Sequence, residues 1–205
     1  MDFLKLDSGV WVSSRIDIGG NFSSYFINIF SSSNLPIDAE MLDLFYPIIS
    51  EKENVILSSI PTEEEVLEAL ASLGSTKAPG PNGFKALFYR KYWDYVKIEV
   101  LQCIWNFFQN NSLPINQNHS FIALVPKLSG THIANQFRPI SLCNIVYKII
   151  SKILASRLKV HLHKIISPLQ SAFVPSRNMQ DNIIFAHEFL HSFKSKRGKM
   201  RFYVS

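Results

Sequence analysis

His187, Glu188 and His191 spell HExxH in a helical stretch. That spacing sets two imidazoles on one helix face for zinc, with the glutamate as general base. Taken alone it describes a metal-dependent hydrolase, but no third ligand stands among the 14 residues after His191. A different chemistry is offered by Lys127, at the end of the apolar run SFIALVPK, and Arg138, after the loop that follows. Cations on neighbouring elements can converge on phosphate oxygens. Lys148, Lys152, Lys159 and His163 recur at helical spacing, a cationic stripe able to follow a nucleic-acid backbone or to form a solvated face. The loop KAPGPNGF contributes Gly80 and Gly83, which let backbone amides approach a phosphate but equally make tight turns. Cys103 and Cys143 lack CxxC or other metal spacing and read as small apolar residues. His119, His132 and His161 read as loop or surface residues.

Charge supports an anionic partner. The net charge is +5, and residues 120–177 contain no Asp or Glu at all. With 205 residues, 47% of them hydrophobic, the chain can bury a core of one globular unit plus an N-terminal segment. The N-terminus lacks a basic region followed by an apolar one, and no apolar run reaches the roughly 20 residues that span a bilayer. An intracellular protein without membrane contact, in nucleus or cytoplasm, is expected.

The elements that must position these residues follow from pattern. Residues 1–58 read as a connecting segment in which FSSYFINIF and AEMLDLFYPII are apolar clusters. In IPTEEEVLEALASLG, Thr62 caps a helix, Glu65 completes a capping box, and Val66, Leu70 and Leu73 form its buried stripe up to Gly74. A second helix is expected from about Tyr92 to Asn110, with Trp93, Val96, Val100, Ile104 and Phe107 inward. SFIALVPK reads as a strand, residues 128–138 as a loop, and residues from about Asn144 to Ile166 as one long helix. Its apolar positions are Val146, Ile149, Ile153, Leu158, Leu162 and Ile165.

KAPGPNGF, ALVPK, FRPISLCNIVYKIISKILASRLK and QSAFVPSRNMQDNI followed by AHE stand in the order found in LINE-type (non-LTR) retrotransposon reverse transcriptases. The chain resembles that family, its plant members especially, and the upstream SSYFINIF and PTEEEVLEAL match the stretch before the polymerase. Two positions depart from the family blocks: Asn82 where Asp is usual, and Ser176 where Gly is usual. The resemblance implies a mainly helical α/β fold, the fingers and the start of the palm of a right-hand polymerase. Residues 1–58 would be an upstream linker, and residues 59–205 the N-terminal part of the polymerase domain.

It further implies nucleotide or template contacts at Lys127, Arg138, Gln170 and Arg177, a template loop at Gly80 and Gly83, and an RNA template and DNA primer as partners. Mg²⁺ would serve the complete enzyme, held by palm aspartates. No AspAsp pair is present here, and the aspartates after Lys77 are Asp94 and Asp181. A fragment without its catalytic carboxylates is therefore expected, lacking the palm and thumb that would follow Gly198, Lys199 and RFYVS. It would be inactive alone, with a residual RNA- or DNA-binding module as the alternative.

Overall fold

The computed structural model describes residues 3–32, 46–168, 170–172 and 174–195. The AEMLDLF cluster, Gly198, Lys199 and the RFYVS end lie outside the described residues. The elements follow in the order β1 (Leu4–Lys5), β2 (Trp11–Val12), α1 (Arg15–Phe30), α2 (Glu51–Ser58), α3 (Glu63–Ser72), α4 (Ala86–Lys91), α5 (Trp93–Asn110), β3 (Ser120–Pro126), a 3-10 turn (Ala134–Gln136), β4 (Phe137–Cys143), α6 (Ile145–Lys159), α7 (Leu162–Ile165) and α8 (Met179–Ser195). Among the described residues helix predominates, with two antiparallel two-stranded ribbons, so the α/β, mainly helical class holds. No helix among the described residues is long and apolar enough to cross a membrane.

Two compact units divide the chain: Met1–Tyr46 with Ile60–Ser151, and Pro47–Ser59 with Lys152–Ser205. Leu4, Phe22 and Phe26 from the N-terminal segment are buried with Ala134 and Phe137 in one apolar cluster. Phe22 meets Phe137 edge-on at 5.2 Å between ring centres. The β1–β2 hairpin also bonds to the β3–β4 loop, Lys5 N donating to His132 O at 2.8 Å. Apolar side chains that read as a loose cluster in sequence, Phe22 and Phe26, find their burial on the ribbon.

In the first unit, Thr62 Oγ1 accepts from Glu65 N at 3.2 Å and starts α3, whose Val66 and Leu70 are buried as expected. Leu73 caps the helix and is half-buried, and Ala69 joins the buried stripe in its place. The Arg90 fork on α4 donates to the carbonyls of Leu70, Ala71 and Leu73, satisfying the acceptors that a helix end leaves unpaired. α5 buries Val100, Leu101 and Ile104. Trp105 Nε1 donates to Pro61 O at 2.9 Å, tying α5 to the approach to α3.

The long helix expected over residues 144–166 is interrupted. α6 ends at Lys159, His161 N bonds back three residues to Leu158 O at 2.9 Å, and α7 starts anew. The buried positions of α6 are Ile145, Val146, Ile149, Ile150 and Ile153, while Leu158 and Ile165 are exposed. Within the second unit, Ser50 and Glu53 form a reciprocal capping box for α2. Arg157 caps the other end of α2, donating to Leu57 O and Ser59 O at 3.0 and 2.6 Å.

Candidate nucleic-acid interface

β-branched and apolar residues in SFIALVP make β3, as the sequence pattern indicates. Its partner β4, FRPISLC, falls partly in what reads as a loop and carries Pro139. Proline is tolerated because a two-stranded ribbon leaves one edge of each strand without a ladder partner. The register pairs Val125 with Arg138 and Pro126 with Phe137. Lys127 N then donates to Gln136 O at 2.8 Å, one step further. Lys127 thus stands in the bend directly after β3, and Arg138 is the second residue of β4. The expected pair of cations is brought together at the same end of the ribbon. Lys127 Nζ donates to Asn135 O at 2.7 Å. The exposed Arg138 side chain makes no hydrogen bond among the described residues.

The PGPNG loop is held from below by a residue the sequence reading did not single out. Asn144, between β4 and α6, is 4% exposed. Its Oδ1 accepts from Asn82 N at 3.1 Å, and its Nδ2 donates to Asn116 O and Gln117 O at 3.3 and 3.5 Å. Gly80 lies so close that a Cβ there would stand 2.4 Å from Asn144 N and from Cys143 C. Lys148, first of the cationic stripe, donates to Ala78 O at 3.2 Å. A polar residue between Cys143 and Ile145, at the start of an apolar helix, was the available signal.

The loop amides face inward. Asn82 N is held by Asn144, Gly83 N donates to Gly80 O, and Phe84 N donates to Asn82 Oδ1. Gly83 has φ +78° with open space around it. Asn82 Nδ2 also donates to Tyr89 OH at 3.3 Å. The aspartate usual at this position could accept from both Phe84 N and the tyrosine hydroxyl, so the departure to Asn keeps the local geometry. Burial pushes the Tyr89 hydroxyl up from its ordinary pKa, partly offset by the Asn82 bond.

Lys152 and Lys159 are exposed on α6, on the same face as Lys148 by helical spacing. In the second unit, Arg177 donates to Ser167 O and Gln170 O at 2.5 and 2.7 Å, and to Ile166 O at 3.3 Å. It braces the turn that holds Gln170, whose own Nε2 reaches Ala172 O at 3.5 Å. Ser176, beside it, has φ +63°, the left-handed conformation that suits the glycine usual there.

His187, Glu188 and His191 lie exposed on α8, and no group of three metal-ligating side chains forms among the described residues. His119 is exposed. His132 faces Trp11 edge-on at 5.5 Å and contacts Phe3 O at 3.2 Å through Nδ1. His161 lies in the turn between α6 and α7, its side chain 12% exposed, with Nδ1 3.5 Å from Glu53 Oε1. Cys103 and Cys143 are free and half-buried, and burial raises the Cys103 thiol pKa.

Residues 125–204, which include β4, α6, Lys127 and Arg138, match the family Reverse transcriptase (RNA-dependent DNA polymerase). The chain thus carries part of a reverse transcriptase of the LINE-type, non-LTR kind, a retrotransposon fragment. It is 31% identical over 169 residues to the Transposon TX1 uncharacterized 149 kDa protein of Xenopus laevis, a match covering 82% of this chain. The chain spans 13% of the length of that curated relative.

Proposed function

We propose that this chain supplies the fingers and the approach to the palm of an RNA-directed DNA polymerase, contacting template and incoming nucleotide through Lys127 and Arg138. The observation that carries this is the ribbon geometry, which brings Lys127 and Arg138 to the same end of β3 and β4 inside the stretch matched to the reverse transcriptase family. Phosphoryl transfer needs such charge to hold the triphosphate. Affinity to plant members of the family, carried by the four sequence blocks, and an intracellular setting with an RNA template and a DNA primer belong to the same reading.

Mg²⁺ belongs to that reaction, but the donors present do not fit it. Asp94 and Asp181 are exposed on separate helices, α5 and α8, and the chain has no AspAsp pair. We assign the metal-holding aspartates to parts of such an enzyme that these 205 residues do not contain. What this chain contributes is phosphate binding and template placement.

Equilibrium binding of labelled single-stranded RNA at several salt concentrations tests the reading. Affinity should fall with salt, and Arg138→Ala should weaken binding and flatten the log–log slope by about 0.7, one phosphate contact. Affinity without salt dependence, or an unchanged slope in both Arg138→Ala and Lys127→Ala, would refute it.

A further inference from the structure

A cleft of about 400 Å³ opens in the first unit beside the PGPNG loop, walled by Phe84, Phe88, Tyr89, Tyr95, Gln117 and Val146. Its walls belong to a run of touching rings. Phe84 lies 4.4 Å from Phe88, Phe88 lies 5.2 Å from Tyr92, and Tyr92 lies 6.5 Å from Tyr95. These rings are not fully buried: Phe84 is 45% and Tyr95 82% exposed.

Gln117 Oε1 is shielded from solvent and has no hydrogen-bond partner among the described residues. A desolvated acceptor of this kind asks for a donor. Tyr89 OH takes its hydrogen bond from Asn82 and keeps its own proton for an acceptor. Aromatic faces, one orphan acceptor and one free donor match a planar heterocycle that carries N–H groups and acceptor atoms on its edge. An aliphatic occupant would leave Gln117 unpaired.

Charge decides which part of a ligand enters. Glu99 lines the cleft and opposes a phosphate there. Lys85 and Lys91 are exposed on the adjoining chain, with Lys91 Nζ 5.6 Å from the Tyr92 ring centre. We propose that this cleft takes an unpaired base of a single-stranded nucleic acid, stacked against Phe84 and Tyr95 with an N–H on Gln117 Oε1, while the sugar-phosphate backbone stays outside beside the lysines. The proposal rests on the nucleic-acid reading above.

The test compares a labelled oligoadenylate RNA with an abasic strand of equal length and charge, with oligodeoxyadenylate as a third arm. Wild type should prefer either base-bearing strand over the abasic one by about tenfold. Tyr95→Ala, Phe84→Ala and Gln117→Leu should each erase most of that preference, leaving abasic affinity and salt slope unchanged. Thermal melts verify that the variants fold, and Tyr95 is exposed enough that its removal spares the core. Salt-dependent binding without base preference, or a preference that survives both Tyr95→Ala and Gln117→Leu, overturns this inference and leaves the reading of Lys127 and Arg138 standing. Absence of salt-dependent binding to any strand removes that reading instead.

Discussion

Gly80→Ala tests whether the PGPNG loop is a clasp. The added Cβ would meet Cys143 C and Asn144 N at 2.4 Å and Asn144 Oδ1 at 2.6 Å. Two of these are backbone atoms at the end of β4 and cannot rotate away, so the loop must lift. Overpacking of this kind costs about 1–3 kcal/mol. Lifting the loop also strips the Asn82 N bond from Asn144, which at 4% exposure has no water to replace it. An unsatisfied buried polar group adds about 1–3 kcal/mol. The expected total is about 2–6 kcal/mol.

Gly83→Ala is the control, because its φ of +78° disfavours a side chain but nothing stands within 4 Å. It should cost about 1–2 kcal/mol from conformation alone. All three tryptophans, Trp11, Trp93 and Trp105, lie in the first unit, so fluorescence during urea unfolding reports on that unit. Asn144→Ala should destabilise as well, and the double variant should cost less than the sum of the two, since both break the same contact. Gly80→Ala no more damaging than Gly83→Ala, or strict additivity with Asn144→Ala, would refute the clasp.

Ser176→Gly should stabilise the protein by about 0.5–1 kcal/mol, because relief of the left-handed strain exceeds the extra entropy glycine brings to the unfolded chain. A thermal melt by circular dichroism checks it. Arg90→Ala leaves the carbonyls of Leu70, Ala71 and Leu73 without their donor and should cost about 1–3 kcal/mol in the same urea assay. Glu53 is held at about 2, below its ordinary 4.5, first by the Lys164 hydrogen bond and then by those from the Ser50 amide and hydroxyl. A depressed carboxyl contributes stability above pH 4.5 that is lost as pH falls towards 2, so Glu53→Gln should flatten the acid dependence of melting across that window.

What was legible in the sequence was local. Thr62, the span of α5 and the strand β3 follow from neighbours within a few residues, and each stands within a residue or two of its expected place. The capping box at Ser50 is equally local, written in SEKE. β4 was not legible, because Phe137–Cys143 is extended only through its pairing with β3, and its proline argues locally for a loop. Phe22 is buried for a similar reason: Phe137, more than a hundred residues away, covers it. At the candidate site, Lys127 and Arg138 could be named from residue type. Their adjacency depends on register, and Asn144 gains its role only when residues 80–82 and 116–117 arrive from elsewhere.

The same long-range contacts change how the positive charge should be interpreted. Arginine's planar fork suits clusters of carbonyls, and helix ends expose such clusters. Arg90 and Arg157 serve the ends of α3 and α2, Arg177 gathers three carbonyls of its turn, and Lys148 holds Ala78. Replacing any of these lowers stability and net charge together, so weaker nucleic-acid binding in such a variant would not identify a contact. Arg138, Lys152 and Lys159 are exposed, and their side chains make no hydrogen bond among the described residues. If the chain tracks a phosphate backbone along α6, Lys152→Ala and Lys159→Ala should each weaken binding of base-bearing and abasic strands equally, with melting unchanged. If only Arg138→Ala does so, phosphate recognition is confined to the ribbon and the stripe on α6 is a solvated face.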